Sequence, residues 1–286
     1  MPFETLIRCK EFLPHLDKPS WAVVDCRFSM QDAEQGYRDY LKAHIPGAVY
    51  AHLERDLCGQ PVSTKSSRHP FPDPEALASK LSDWGIDEDA QVLVYDDYFG
   101  GFAVRLWRML GWLGHKNVAL LDGGWPRWRQ LGLPIRSGEE RRPRREFVAR
   151  LRLELLVDAN AVEEELASGN APVIDTRSER SYTGAKAPQS PASGHIPGAQ
   201  HFFFPENLDA DGLLLDSQEL RARYEAILQG RPAEQAIVYC TSGVTASLNI
   251  LAMQHLGLGE ARLYPGSWDE WSADPKRPVE KGTPRA

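Results

Sequence analysis

Cysteine is scarce in this chain: four in 286 residues, Cys9, Cys26, Cys58 and Cys240. No two form a CxxC pair and their spacing is irregular, which excludes the usual zinc patterns and a disulfide framework and points to a reducing compartment. Long apolar runs are missing too. No stretch reaches the length needed to span a bilayer, and the N-terminus, Met1-Pro2-Phe3-Glu4-Thr5-Leu6, has neither the basic start nor the apolar core of a secretory leader. Basic residues are outnumbered, 33 against 40 acidic, for a net charge of −7. That balance offers no electrostatic footprint for nucleic acid or an anionic membrane, so neither is an expected partner. A soluble, cytoplasmic protein with no metal or other cofactor is the expectation.

What the chain does have is ample apolar content, 42% of residues, and a length that suggests two domains. It also repeats itself. Val23-Val24-Asp25-Cys26-Arg27, His44-Ile45-Pro46-Gly47-Ala48, Leu93-Val94-Tyr95-Asp96 and Leu121-Asp122-Gly123-Gly124-Trp125 return in the same order as Val173-Ile174-Asp175-Thr176-Arg177, His195-Ile196-Pro197-Gly198-Ala199, Ile237-Val238-Tyr239-Cys240 and Tyr264-Pro265-Gly266-Ser267-Trp268. His44 follows Asp25 by 19 residues and His195 follows Asp175 by 20, so each copy reads as one domain.

Apolar runs at 21–25, 91–95, 117–121, 172–175, 235–239 and 261–264 read as buried strands. Helical patterns lie between them, for example at 74–84, 101–113, 217–229 and 244–256. That alternation predicts an α/β fold, two tandem domains each built on a parallel sheet flanked by helices. The expected division is 1–135 for a first, non-catalytic domain, 136–156 for a polar linker with an arginine run, and 157–286 for a second, catalytic domain. Trp125, Trp128, Trp268 and Trp271 sit at matching positions and read as packing residues.

The segment Val238-Tyr239-Cys240-Thr241-Ser242-Gly243-Val244-Thr245-Ala246-Ser247 is an apolar strand that delivers one cysteine into a short polar loop ahead of a helix. Backbone N–H groups and a positive helix end aimed at the sulfur favour the thiolate, which makes Cys240 the candidate nucleophile rather than a cysteine packed as a small hydrophobe. The first copy carries Asp96 at that place, and a carboxylate cannot carry sulfur.

These motifs, which cover nearly the whole chain, resemble the rhodanese family, in which a cysteine passes sulfur from donor to acceptor as a persulfide. Within it the loop Cys240-Thr241-Ser242-Gly243-Val244-Thr245 is most similar to that of 3-mercaptopyruvate sulfurtransferases, with Thr241 in place of the usual glycine. The resemblance implies a catalytic second copy and an inactive first one. It also implies a relay in which Ser242 and His44 assist Cys240, with Asp32 as the upstream carboxylate, while His195 has a structural role. Thr241, Gly243, Val244 and Thr245 are the expected loop contacts to the donor and its sulfur.

Neutral Thr241 and Ser242 suit a donor with one carboxylate, such as 3-mercaptopyruvate, better than the thiosulfate dianion. With Tyr182 and Gly184 held in register, the family's donor-binding arginine falls on Ser181, so Arg180 and Lys186 are the candidates, and Arg177 reads as a structural ion pair. The implied acceptor is cyanide or a thiol such as thioredoxin. Two alternatives stay open, a thiosulfate sulfurtransferase and a non-enzymatic persulfide relay module. A phosphatase reading is disfavoured, because Ala246 stands where such a loop needs an arginine.

Overall fold

The computed structural model describes residues 2–61, 63, 66–187, 192–215 and 217–283. By packing, the chain forms two units. One comprises Met1–Gly59, Phe71–Arg152 and Leu208–Leu214, the other Gln60–Pro70, Leu153–Asn207 and Leu215–Ala286. This differs from the expected division in two respects. The residues at 136–152 run along the first unit rather than standing free, with Arg145 N–H on the Ser82 carbonyl at 3.0 Å and Arg150 N–H on the Leu113 carbonyl at 2.8 Å. In addition, Gln60–Pro70 belongs to the second unit.

The first unit holds β1 (Leu6–Ile7), β2 (Trp21–Asp25), β3 (Ala48–Tyr50), β4 (Gln91–Tyr95) and β5 (Val118–Leu121), ordered β1-β5-β4-β2-β3. Every pairing is parallel, with Val23 opposite Leu93 and Asp25 opposite Tyr95. Its helices are α1 (Cys9–Phe12), α2 (Gln35–Lys42), α3 (Leu53–Asp56), α4 (Pro74–Asp83), α5 (Ala103–Trp112) and α6 (Gly124–Gln130). β2 and β4 are buried at every position because both sheet faces are covered, which is why they read as unbroken apolar runs. Trp21, Val23, Leu93, Tyr95, Ala119 and Leu121 form one core with Phe12 and Trp128, while the alternate residues Ala22, Val24, Val92 and Val94 are buried on the opposite face.

The second unit repeats the plan with fewer strands: β6 (Val173–Asp175), β7 (Gln200–His201), β8 (Ile237–Tyr239) and β9 (Arg262–Leu263), all parallel, ordered β7-β6-β8-β9. Around them lie α7 (Ala159–Ser168), α8 (Glu179–Tyr182), α9 (Ser217–Leu228), α10 (Ser247–His255) and α11 (Ser267–Ala273). Ordinary signals bound some helices. The Asp73 carboxylate accepts the Glu75 and Ala76 N–H groups ahead of Pro74 at the start of α4, and Gly169, at φ +65°, ends α7.

Each unit is cross-braced by one repeated network. Arg27 pairs with Asp25 at 2.6 Å, donates to the Ala43 carbonyl and lies 4.6 Å from the Trp125 ring, and Tyr95 donates its hydroxyl to Asp25. Arg177 pairs with Asp175 at 2.6 Å, donates to the Gly194 carbonyl and lies 4.3 Å from the Trp268 ring, with Tyr239 on Asp175. Burial alone would lower the pKa of Arg177, but the charge of Asp175 and the hydrogen bond to it raise it above its ordinary value. This guanidinium is committed to structure.

Candidate active site

β8 points its C-terminal end at Cys240, whose residue is 3% exposed. The backbone there is clamped from the start of α11. The Cys240 N–H donates to the Ser267 hydroxyl at 3.2 Å, and the Cys240 and Thr241 carbonyls accept the N–H groups of Trp268 and Asp269 at 3.1 and 2.9 Å. Ser267 donates its own hydroxyl to the Tyr264 carbonyl and holds a left-handed backbone at φ +55°. Such a conformation is unusual for a residue with a side chain and marks a constrained site. A Cβ on Gly243, at φ +74°, would lie 2.3 Å from the Pro265 carbonyl oxygen, so both the turn and the close approach need glycine.

The loop ends at α10, which has Ala246 at its N-cap and no side-chain cap. Ser247, its first residue, is fully buried, and among the described residues its hydroxyl has no partner. The first copy shows what the same place holds when a carboxylate stands there. There the Asp96 carboxylate accepts the N–H groups of Tyr98, Gly100, Phe102 and Ala103, all at 2.7–2.8 Å, and so caps α5. Burial pushes the pKa of Asp96 up, opposed by those four hydrogen bonds. Phe99, at φ +57°, matches Gly243, and Gly124, at φ +53°, matches Ser267. The first loop also turns left-handed at Gly100, where the second has Val244.

All four cysteines are free thiols. Burial pushes the Cys9 thiol up to about 11, puts Cys26 well above its ordinary value and raises Cys58. Those three are poor nucleophiles at neutral pH.

Ser242, 6% exposed, has a histidine partner, but it is His69. The His69 Nδ1 lies 2.8 Å from the Ser242 Oγ, and Ser67 donates to the Ser242 carbonyl at 3.1 Å. The expected relay joined Ser242 to His44 and Asp32; the histidine hydrogen-bonded to Ser242 in the structure is His69. His44 belongs to the first unit, stacked on Tyr40 at 4.3 Å, with Nδ1 on the Tyr40 carbonyl and Nε2 3.8 Å from Glu140. His195 has the same set: Tyr182 as stacking partner and carbonyl acceptor, and Glu280 at 3.8 Å. The two motif histidines thus have matching surroundings, and each pairs through its backbone with a later stretch of chain, Arg136 for His44 and Glu280 for His195. Asp32 is exposed and paired with Arg38, which lowers its pKa.

Arg180, on α8, and Lys186 are exposed, and among the described residues no hydrogen bond joins either side chain to the Cys240 loop. Arg177 is locked to Asp175. His69 is the functional candidate that sequence reasoning missed. Its signal was faint: a polar run ending Ser66-Ser67-Arg68-His69-Pro70 that has no counterpart in the second copy. Among the described residues no group of His, Cys, Asp and Glu side chains is arranged to hold a metal ion, and no helix is long and apolar enough to cross a membrane.

Fold and site together define a class: a tandem α/β protein whose second copy presents a buried cysteine at a helix N-terminus that, among the described residues, has no side-chain cap, with a loop serine, Ser242, hydrogen-bonded to His69. Comparison with known proteins agrees. The family model described as the rhodanese-like domain matches residues 9–131 and 158–274. A Pseudomonas aeruginosa protein named as a probable 3-mercaptopyruvate sulfurtransferase is 42% identical over 278 residues, covering 97% of this chain and 98% of its own. The thiosulfate sulfurtransferase of Bos taurus is 32% identical over 272 residues, covering 92% and 90%. The solved structure of 3-mercaptopyruvate sulfurtransferase from Leishmania major matches with a TM-score of 0.83 at 28% identity, covering 94% of this chain and 74% of that one. The chain belongs to the rhodanese family.

Proposed function

We propose that the protein is a sulfurtransferase that moves sulfur from 3-mercaptopyruvate, through a persulfide on Cys240, to cyanide or a thiol acceptor such as thioredoxin. The observation that carries this reading is the uncapped start of α10 beside Cys240, at the place where Asp96 caps α5 in the first copy. A sulfur anion there completes the helix as the carboxylate does. By the repeat, the N–H groups of Ser242, Val244, Ala246 and Ser247 correspond to those that hold Asp96. Val244 is shared with the set Gly243, Val244 and Thr245 expected from the loop alone.

In the first half-reaction the Cys240 thiolate attacks the donor sulfur. The S–S bond forms, the carbon–sulfur bond breaks, and the pair of electrons leaves on the enolate of pyruvate. The donor's thiol proton passes to Ser242 and His69, which return a proton to the enolate carbon. In the second, cyanide takes the outer sulfur as thiocyanate and restores the thiolate, so the kinetics are ping-pong. Arg180 meets the donor carboxylate, with Lys186 as the second cation, and Thr241 lines the entrance. The neutral loop favours a monoanionic donor, and resemblance to a 3-mercaptopyruvate sulfurtransferase at 42% identity points the same way.

The test is kcat/KM for 3-mercaptopyruvate and for thiosulfate with cyanide as acceptor, in wild type, Cys240→Ser and His69→Ala. We expect preference for mercaptopyruvate, loss of turnover by about 1,000-fold or more in Cys240→Ser, and about 10- to 100-fold in His69→Ala. A preference for thiosulfate overturns the donor assignment. No turnover of either donor by the wild type leaves the relay module as the reading.

A further inference from the structure

His69 sits in a stretch without regular secondary structure, Ser66 to Pro70, so neither a helix nor a strand orients its ring. Three contacts do. Ser67, 2% exposed, donates to the Ser242 carbonyl at 3.1 Å and accepts the His69 N–H at 3.2 Å. The next residue, Arg68, donates its Nε to the Asp269 carboxylate at 2.8 Å. Asp269 lies in the first turn of α11, and its N–H binds the Thr241 carbonyl at 2.9 Å. The contacts close a ring: Thr241 to Asp269, Asp269 to Arg68, along the chain to His69, across to Ser242, and back along the chain to Thr241.

We propose that the Arg68–Asp269 ion pair is a positioning clamp for sulfur transfer, setting the His69 ring against the Ser242 hydroxyl. The proposal rests on the reading that Ser242 and His69 move the proton. Arg68 is 62% exposed at the side chain and Asp269 18%, so the pair contributes little to overall stability. Its effect is on geometry, since a hydrogen-bonded pair moved by an ångström loses much of its catalytic value. Arg68 is a positioning residue and touches no reacting atom.

The test measures kcat and KM for 3-mercaptopyruvate, with cyanide as acceptor, together with thermal midpoints, for wild type, Arg68→Ala, Arg68→Lys, His69→Ala and the Arg68→Ala/His69→Ala double variant. Arg68→Ala is expected to lower kcat about fivefold with KM and thermal midpoint unchanged, and Arg68→Lys to restore most of it. In the His69→Ala background, Arg68→Ala is expected to add nothing. Three results overturn the clamp alone: the same fivefold loss in that background, a raised KM with kcat intact, or an Arg68→Ala variant as fast as wild type. A His69→Ala variant that turns over like wild type overturns the serine–histidine reading as well, so the two failures are distinguishable.

Discussion

Asp96 and Cys240 stand at the same point of two copies of one loop, each just past the C-terminal end of a central strand and ahead of a helix whose first residue comes seven positions later. In the first copy a carboxylate fills the cradle and satisfies four backbone N–H groups for the life of the fold. In the second, among the described residues, no side chain takes up the N–H groups that start α10. The difference teaches how one scaffold can serve two ends. A built-in anion makes the loop a stabilising element, whereas on the proposed reading a sulfur anion on Cys240 would take the same place and make those dipoles available to chemistry.

The sharpest way to break that comparison is to remove the built-in anion. Asp96→Ala strands four buried N–H groups and the start of α5, and is expected to cost about 3 kcal/mol or more in urea unfolding. Cys240→Ala, by the same measurement, is expected to cost about 1 kcal/mol, because no side chain caps α10 in the resting fold. Equal losses would mean that the two loops are not functional opposites.

A second pair of substitutions tests the left-handed position the copies share. Gly243→Ala drives a Cβ into the Pro265 carbonyl at 2.3 Å and is expected to lower kcat about 100-fold by displacing Cys240. Phe99→Gly at the matching residue relieves φ +57° on an exposed side chain and is expected to raise stability by about 0.5 kcal/mol while leaving turnover unchanged. Steady-state rates and denaturation midpoints check both.

The smallest expected effect concerns His195. Burial lowers its pKa below the ordinary 6.5, against the pull of the Tyr182 carbonyl and Glu280. The unfolded chain therefore binds the proton first, so this group's contribution is present above 6.5 and is lost as pH falls below it. Between about pH 7 and about pH 5 the thermal midpoint is expected to fall, and His195→Gln to reduce that fall by about 2 °C. Part of the slope remains, because burial also lowers His52 and His115.

Much of this was legible from residues alone. β2 and β4 match the predicted runs at 21–25 and 91–95, and the predicted helices at 74–84, 101–113 and 217–229 contain α4, α5 and α9, since apolar periodicity and capping are local properties. The edge strands β1, β3 and β7, of two or three residues each, lie outside the predicted runs. The double use of Ser267, whose hydroxyl donates to the Tyr264 carbonyl and accepts the Cys240 N–H, has no signal in the sequence.

By itself the sequence determined the tandem α/β plan, the loop that carries Cys240 and the loss of that cysteine at Asp96, because each depends on short stretches whose order repeats. Only the tertiary structure decided which histidine meets Ser242. His44 stands in a repeated motif and invites a catalytic role, and its ring stacks on Tyr40 with Nδ1 on the Tyr40 carbonyl. His69 has no motif, and it meets a serine 173 residues later in the chain through packing alone. A hydrogen bond across that separation leaves no local pattern, because its geometry is fixed by the fold between the two residues and not by the residues beside them.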